Sequence, residues 1–337
     1  MQNLSILFLV RSFDLLHSSL FSPTLLRNEH LFKHFSLSNS RFKYFSQSLI
    51  LNNIGTHNKL ISISDSKFAY FLESPIQLHH DEDPKIKLFE DQHFSKKRFR
   101  IKSGDLRVHR CIFEKNKAKK GGGLNSEHNV AVNLTDCIFS SNTATFGGGI
   151  YIEQTEHAYF SNILIINNSA EYLGGVFLDG VMESPTPFSY FDNVNITHNC
   201  ADEWTGGIRL DHGGGNFYNS VIDSCSARVC GGFFDQLWKP SIRNVHNTLF
   251  INNSAIERTA AYCAFHIMHQ SKFSNCAFIL NQLHSSSSLI RAKDIYVESI
   301  DSQVDIDNCF FDDVYEKSIA IRFDFSKVVL GDNNTFV

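Results

Sequence analysis

The sequence lacks the features that define several classes of protein. No uncharged apolar run approaches the roughly 18 residues that a membrane helix needs, so we expect no transmembrane segment. With 6 prolines and no regular glycine period, the chain is neither collagen-like nor of low complexity. Neither sign of charge dominates, since 31 Lys and Arg oppose 35 Asp and Glu, and without a concentrated basic face we expect no nucleic-acid partner.

The motifs of common catalytic and metal sites are also missing. There is no Gly-x-Ser-x-Gly, Cys-x-x-Cys or His-Glu-x-x-His, and the glycine clusters lack the spacing of a phosphate-binding loop. Cys263, His266 and His269 have metal-binding side chains, but a step of three residues along a strand changes faces. The sequence therefore predicts no catalytic residue, no metal ion and no cofactor.

A repeat of about 26 residues is the main feature that is present. Its copies share a small residue or Cys, an aromatic or aliphatic residue two positions later, then Asn, Ala and a Gly-Gly pair. From residue 111 onward, the copies begin at Cys111, Cys137, Ile163, Val194, Ser220, Thr248, Cys276 and Cys309. Ser40–Ile50 and Ser66–Ile76 show the same spacing, and the interval between Ser66 and Cys111 leaves room for one degenerate coil with an insertion.

The repeated segments are short and alternate apolar with other residues, which is typical of strands, and none shows a helical apolar stripe. A unit of this length fits three short strands, each stacked in parallel on the equivalent strand of the previous coil. The sequence therefore predicts an all-β protein, a right-handed parallel β-helix of about ten coils. We assign residues 36–337 to this solenoid. Residues 1–35 are expected to form an N-terminal cap or a weak leader segment.

Stacked coils bring equivalent residues into columns, and the columns explain most of the repeat. The recurrent Asn is expected to form a buried ladder of side-chain amides, interrupted by Cys225. The members of this ladder are Asn116, Asn142, Asn168, Asn199, Asn253 and Asn281. Phe113, Phe139 and their equivalents are expected to fill the core, and the Gly-Gly pairs mark a tight corner. Cys111 and Cys137, on adjacent coils, could form a disulfide in an oxidising compartment.

Two of the repeats resemble a known family. Phe139 and Asn142 followed by residues 147–150 (GGGI) resemble the Phe-x-x-Asn and Gly-Gly-Ala-Ile repeats of the polymorphic outer membrane protein family, and Phe113 and Asn116 recur in the same way. Ser40–Ile76 and the later coils are similar to the right-handed β-helix proteins of trichomonad protists. The resemblance implies a surface-exposed or secreted β-helix, for which adhesion is the usual proposal, and it supplies no catalytic residues.

One face of the predicted solenoid is the candidate binding face. Residues two and four positions after the last Gly of each repeat should point outward, because their neighbours are aliphatic. These positions place acidic residues beside exposed aromatic ones, and stacked carboxylates should repel or bind a cation. We predict a binding site at Tyr151, Glu153, Phe177, Asp179, Arg209 and Asp211. The alternative is that these residues only form a solvated strand face.

Three functions remain open from the sequence. The first is a non-enzymatic, adhesin-like protein that acts as a monomer at the cell surface or outside the cell and recognises a glycan or protein surface. The second is a polysaccharide lyase or glycoside hydrolase of β-helix type, supported by analogy of fold and by Asp211-His212-Gly213. The third is a purely structural spacer.

Overall fold

The computed structural model describes residues 6–11, 14–16, 26–27, 32–45, 48, 50–53, 60–79, 104–128, 131–180, 188–236, 241–265, 269–284, 291–298, 302–322 and 326–337. Within these ranges the chain forms three parallel β-sheets along one solenoid, with one short helix at Tyr315–Ser318. The predicted all-β parallel solenoid is confirmed. The right-handed sense of its coils stays a prediction.

Sheet I has 22 strands among the described residues, because most coils cross it as two consecutive short strands separated by a bend. Where the two strands merge, they form one strand of 10 residues. The strands of sheet I are Ile6–Arg11, Asp14–Leu16, Phe32–Ser38, Arg41–Lys43, Leu60–Ser64, Lys67–Ala69, Asp105–His109, Ile112–Glu114, Ala131–Thr135, Ile138–Ser140, His157–Ile166, Phe188–Thr197, Gly214–Tyr218, Val221–Asp223, Ser241–His246, Leu249–Ile251, His269–Ser274, Ala277–Ile279, Gln303–Asp307, Phe310–Phe311, Lys327–Leu330 and Thr335–Phe336.

After sheet I, a complete coil continues through sheet III, the Gly-Gly corner and sheet II. The 7 described strands of sheet III are Lys117–Lys120, Thr143–Phe146, Ser169–Leu173, Cys200–Ala201, Ser226–Ala227, Ser254–Ala255 and Gln282–Leu283. The 11 described strands of sheet II are Leu26–Arg27, Ile50–Asn53, Ile76–His79, Leu124–Glu127, Ile150–Thr155, Val176–Gly180, Ile208–Asp211, Phe233–Gln236, Tyr262–Phe265, Ile295–Glu298 and Ile319–Ile321.

Neighbouring coils are in register, as the repeat predicts. Phe113 pairs with Phe139, and their buried rings stack with centroids 4.7 Å apart. Leu60–Ser64 pairs directly with Asp105–His109, so the long interval after Ser66 is one coil with an insertion. Ile6–Arg11 also lies parallel to Phe32–Ser38, so sheet I extends into the segment predicted as a cap or leader.

The predicted asparagine ladder is confirmed inside the solenoid. The Asn142 Nδ2 amide donates to Asn168 Oδ1 at 3.0 Å and to the Phe113 carbonyl at 3.0 Å. Asn142 Oδ1 in turn accepts hydrogen bonds from the backbone and side-chain N–H groups of Asn116 at 3.0 and 2.9 Å. Cys225 interrupts the column as expected, and the Asn199 amide lies 4.0 Å from its Sγ. These bonds satisfy buried polar groups that the strands leave unpaired.

A second column of Asn and Asp lies on the outside of the solenoid and was not predicted. It occupies the bend of sheet I, where each residue adopts a positive φ, a conformation that Asn and Asp tolerate better than most residues. Its members are Asn39, Asp65, Asp136, Asn162, Asn193, Asn219, Asn247, Asn275, Asn308 and Asn333. Asn162 Nδ2 donates to Asp136 Oδ1 at 2.9 Å, and Asn247 Nδ2 donates to Asn219 Oδ1 at 2.8 Å.

The Gly-Gly corner is tight for two physical reasons. Gly147 has a φ of +64°, which favours glycine. A Cβ on Gly148 would lie 2.4 Å from the Gly174 carbonyl oxygen and 2.5 Å from that of Ser169, so the next coil leaves no room for a side chain. The corner turns the chain from sheet III into sheet II, and thereby places the sheet II side chains.

Candidate functional site

The predicted binding residues lie on three neighbouring strands of sheet II. Tyr151 pairs with Phe177, which pairs with Arg209, and Asp179 pairs with Asp211. Their side chains point away from the core, because the alternate residues of the same strands belong to it. We call the following six residues the sheet II strip: Tyr151, Glu153, Phe177, Asp179, Arg209 and Asp211.

Lys120, from sheet III, lies over the start of the strip. Its Nζ is 3.2 Å from Glu127 Oε1 and 3.0 Å from Glu153 Oε2, and it lies 4.6 Å from the centroid of the Tyr151 ring. The Tyr151 hydroxyl donates to Glu153 Oε2 at 2.9 Å, and its ring lies 4.8 Å from that of Phe177. The Lys120 ammonium group therefore lies between the stacked carboxylates of Glu127 and Glu153. Burial raises the pKa of the Tyr151 hydroxyl.

Arg209 organises the other end of the strip. Its Nε and Nη2 each donate to a carboxylate oxygen of Asp211 at 2.9 Å, and Nη2 also donates to Gln236 Oε1 at 2.7 Å. The guanidinium carbon lies 4.8 Å from the Phe234 ring centroid and 5.4 Å from that of Trp204. These contacts hold the guanidinium plane in one orientation.

A histidine and two carboxylates meet where the strip ends. His212 Nδ1 lies 2.6 Å from Asp179 Oδ1, across one coil. Burial raises the pKa of Asp211, although the neighbouring Arg209 opposes the shift. The end of the strip therefore places a carboxyl group that contacts an imidazole beside a second carboxyl group whose pKa is raised.

One expectation about this face is wrong. The aromatic column is not an exposed surface, because Tyr151 is only 7% exposed and Phe234 only 1%, under Lys120 and Trp204. The carboxylates stack as expected, with a cation between two of them. Lys120 contacts Glu127 and Glu153 and thereby joins sheet III to two strands of sheet II, which the repeat spacing alone does not predict. Arg209 pairs with Asp211 within its own strand.

An ion pair that was not predicted lies inside the solenoid near the strip. Arg243 and Asp235 are 1% and 0% exposed. Arg243 Nε and Nη2 donate to the two carboxylate oxygens of Asp235 at 3.1 and 3.2 Å. The Tyr262 hydroxyl donates to Asp235 Oδ2 at 3.0 Å and lies 2.6 Å from Ser271 Oγ. These bonds compensate for part of the cost of burying two charges.

The Arg243 side chain reaches back across two coils. Its Nη1 donates to Ser189 Oγ at 2.8 Å, and its Nη2 donates to the Gly213 carbonyl at 2.7 Å. Arg243 has room because the side chains before it in its own column of sheet I become smaller towards it. In chain order, this column is Leu106, Val132, Ala158, Ser189, Gly215 and finally Arg243. The run of three glycines from Gly213 was the sequence signal for this site.

A cavity of about 10 Å³ lies between Arg243 and the end of the strip. Its surface is mainly apolar, and the residues around it include Ala158, Leu178, Leu210, Asp211, His212 and Arg243. This volume holds roughly one water molecule.

Two further observations concern the described ranges only. No helix among them is long and apolar enough to cross a membrane. No group of three His, Cys, Asp or Glu residues among them is arranged to hold a metal ion, while His266 lies outside these ranges.

The fold and the columns define a parallel β-solenoid built from one repeat. Residues 136–153 match a family model for the Chlamydia polymorphic membrane protein (Chlamydia_PMP) repeat. The matched segment carries Phe139, Asn142 and the glycine corner, the residues on which the resemblance depends, and it points to a repeat of the surface or outer-membrane type. The likeness to trichomonad proteins is not tested by this match. No curated protein and no solved structure matches the chain.

Proposed function

We propose that the protein is a non-enzymatic β-solenoid of the cell surface or the extracellular space, and that it recognises a glycan through the sheet II strip. The observation that carries the proposal is the column of Tyr151, Phe177 and Arg209 beside a column of carboxylates. Tyr151 is buried under Lys120, so the half-buried Phe177 ring and the Arg209 guanidinium are the planes offered to the apolar face of a sugar ring, and carboxylates accept hydrogen bonds from sugar hydroxyls. The surface-type repeat at residues 136–153 supports the location.

The strip is organised before a ligand arrives. Lys120 fixes Glu153, Arg209 fixes Asp211, and His212 contacts Asp179, so little side-chain freedom remains to be lost on binding. The carboxylates of the strip outnumber its cations. A neutral glycan therefore suits this surface better than a polyanionic one.

A glycan array probed with the purified protein tests the proposal. Glycans that are retained are then incubated with the protein, and new reducing ends are measured. Binding without new reducing ends is the expected result. An array on which no glycan is retained would contradict glycan recognition, and a protein partner or a spacer role would then account for the fold.

A glycoside hydrolase is the second candidate, because Asp211 lies beside the Asp179–His212 pair. A carboxyl group with a raised pKa beside a second carboxyl group is an arrangement that glycosidases use. New reducing ends that disappear in the Asp211→Asn variant would establish this activity in place of simple binding.

A further inference from the structure

We propose that one corner of the solenoid docks onto a membrane surface that contains anionic lipids. The corner comprises the sheet I strands Arg41–Lys43, Lys67–Ala69 and Ile112–Glu114 and the turns that follow them towards sheet III. We call the following residues the corner patch: Arg41, Tyr44, Lys67, Tyr70, Leu72, Lys115, Lys117 and Lys119. The proposal is independent of glycan recognition, because none of these residues belongs to the sheet II strip.

Three large apolar side chains of the corner patch are exposed. Tyr44, Tyr70 and Leu72 are 49%, 37% and 64% exposed. Tyr44 and Tyr70 also have φ values of +65° and +60°, a conformation that is unusual for a bulky residue. Most later coils fill the same position with polar residues, namely Ser141, Asn167, His198, Ser224 and Asn252. The turn therefore forms without an aromatic ring, and its stability does not explain the two tyrosines.

Basic side chains surround the apolar ones. Arg41 and Lys67 are paired residues of neighbouring strands. Lys115 takes the position of Tyr70 one coil later, since the Tyr70 N–H donates to the Glu114 carbonyl. The cations therefore lie in the same columns as the exposed rings and beside them.

The corner patch carries an excess of positive charge. Lys117 and Lys119 are exposed in the adjoining strand of sheet III, and Lys117 follows Leu72 in the next coil. Glu114, which pairs with Lys67, and Glu73 place two carboxylates among the five cations of the patch. The whole chain has a net charge of −4, so this surface is opposite in sign to the rest of the molecule. Its charge complements an anionic partner.

The geometry of Tyr70 favours a lipid surface over an anionic glycan. The Tyr44 ring stacks on it from the coil before, with centroids 4.9 Å apart. Lys115 covers it from the coil after, with Nζ 5.5 Å from the ring centroid and 3.3 Å from the hydroxyl. Both faces of the ring are therefore occupied, and its edge is what remains for a partner. A sugar ring stacks on an aromatic face, whereas tyrosine edges and hydroxyls suit the headgroup level of a bilayer.

Leu72 points to the same partner. An aliphatic side chain gains free energy when it enters the acyl boundary of a bilayer, and it gains nothing from a soluble polyanion. Lysines beside it would lie at the level of the lipid phosphates, where each contributes to binding.

Co-sedimentation of the full chain with lipid vesicles tests the proposal. Vesicles of phosphatidylcholine alone are compared with vesicles that also contain about 30% phosphatidylglycerol. We expect at least about tenfold stronger binding to the mixed vesicles, and weaker binding as the salt concentration rises. Absence of binding to the mixed vesicles, or equal binding to both kinds, would overturn the proposal.

Charge reversal locates the binding surface. Lys117→Glu/Lys119→Glu should lose about tenfold or more in affinity for the mixed vesicles. Lys272→Glu/Lys327→Glu is the matched control, because it makes the same change of net charge at two exposed lysines outside the patch. Equal losses in the two variants would assign the effect to net charge and reject the corner patch.

Removing the apolar side chains separates a membrane from a soluble polyanion. Tyr44→Asn/Tyr70→Asn/Leu72→Thr should fold, because Asn167 and Asn252 occupy the tyrosine position in later coils and Thr143 pairs with the residue that follows Leu72 in its column. Its circular dichroism spectrum and Tm are measured alongside. We expect about tenfold weaker binding to the mixed vesicles and unchanged binding to dextran sulfate.

Leu280→Asn is the control for this variant. Leu280 is 55% exposed with a φ of +55° in the same column, but it lies in a coil beside Asp312 and far from the cations of the patch. Its replacement should leave vesicle binding unchanged. If the triple variant binds vesicles like the wild type while charge reversal abolishes binding, the corner patch is a site for soluble polyanions and the membrane proposal is rejected.

Discussion

Asn142 and Asn168 lie one coil apart, and the side-chain amide of Asn142 donates to Oδ1 of Asn168 at 3.0 Å. Both side chains are fully buried. The same contact recurs between Asn168 and Asn199 at 3.0 Å and between Asn253 and Asn281 at 3.1 Å. Each amide also bonds a backbone carbonyl of the coil before it, so the ladder joins consecutive coils along the inside of the solenoid.

Breaking the ladder should destabilise the protein. Asn142→Ala removes the oxygen that accepts hydrogen bonds from two N–H groups of Asn116, and both groups stay buried without that acceptor. We therefore expect the free energy of unfolding to fall by about 2–4 kcal/mol. The exposed Asn195 provides the matched control, and Asn195→Ala should change the value by no more than about 0.5 kcal/mol. Urea unfolding measures both, and equal losses would show that the ladder contributes nothing specific.

The ladder should also make stability depend on pH, through the residue at its end. Asn281 Nδ2 donates to Asp294 Oδ1 at 3.0 Å, and Asp294 Oδ2 is buried without a hydrogen-bond partner. Burial raises the pKa of Asp294 from 3.8 to about 7. Between these values the folded state holds a proton that the unfolded state releases. Stability should therefore fall as the pH rises from about 4 to 7, by at most about 1.4 kcal/mol per pH unit.

Asp294→Asn removes this titration and keeps an acceptor for Asn281. We expect the variant to gain stability relative to the wild type as the pH rises to 8, with little difference near pH 4. Asp202→Asn, at an exposed position, is the control. Thermal unfolding at several pH values provides the comparison, and a constant difference between wild type and Asp294→Asn would show that Asp294 does not titrate in this range.

The cysteines should differ sharply in reactivity. Of the 8 Cys, all are free thiols, and only Cys200 is exposed. Burial raises the pKa of Cys225 and of Cys263 to about 12, so little thiolate is present at neutral pH. We expect a thiol reagent to modify about one cysteine in the native protein and all of them after unfolding. Rapid native labelling of several cysteines would contradict the burial of these columns.

The sequence predicts those features of the fold that repeat at constant spacing. Asn142 lies 26 residues after Asn116 and 26 residues before Asn168, and stacking the coils brings consecutive members together without further information. The pairing of Tyr151 with Phe177 follows from the same register. The outer column also leaves a signal in the sequence, since Asn219 precedes Ser220 and Asn247 precedes Thr248 at the start of successive repeats.

Contacts that cross between sheets or skip a coil could not be predicted in this way. Lys120 reaches Glu153 from sheet III, around the glycine corner and into the next coil. Arg243 reaches Ser189 across two coils, and this depends on the missing side chain of Gly215. Such contacts depend on the depth and direction of single side chains, which the repeat does not specify. For the same reason, the sequence predicts on which strands the strip residues lie and does not predict how exposed their side chains are.

Charge reversal within the strip tests the central claim most directly. Calorimetric titration of a glycan retained on the array would compare the wild type with Glu153→Lys/Asp179→Lys and with Asp202→Lys/Asp307→Lys, a control at two exposed carboxylates outside the strip. Glycan recognition through the strip predicts a loss of about tenfold or more in affinity for the first variant and none for the control. Equal affinity in all three proteins, with folding preserved, would contradict it.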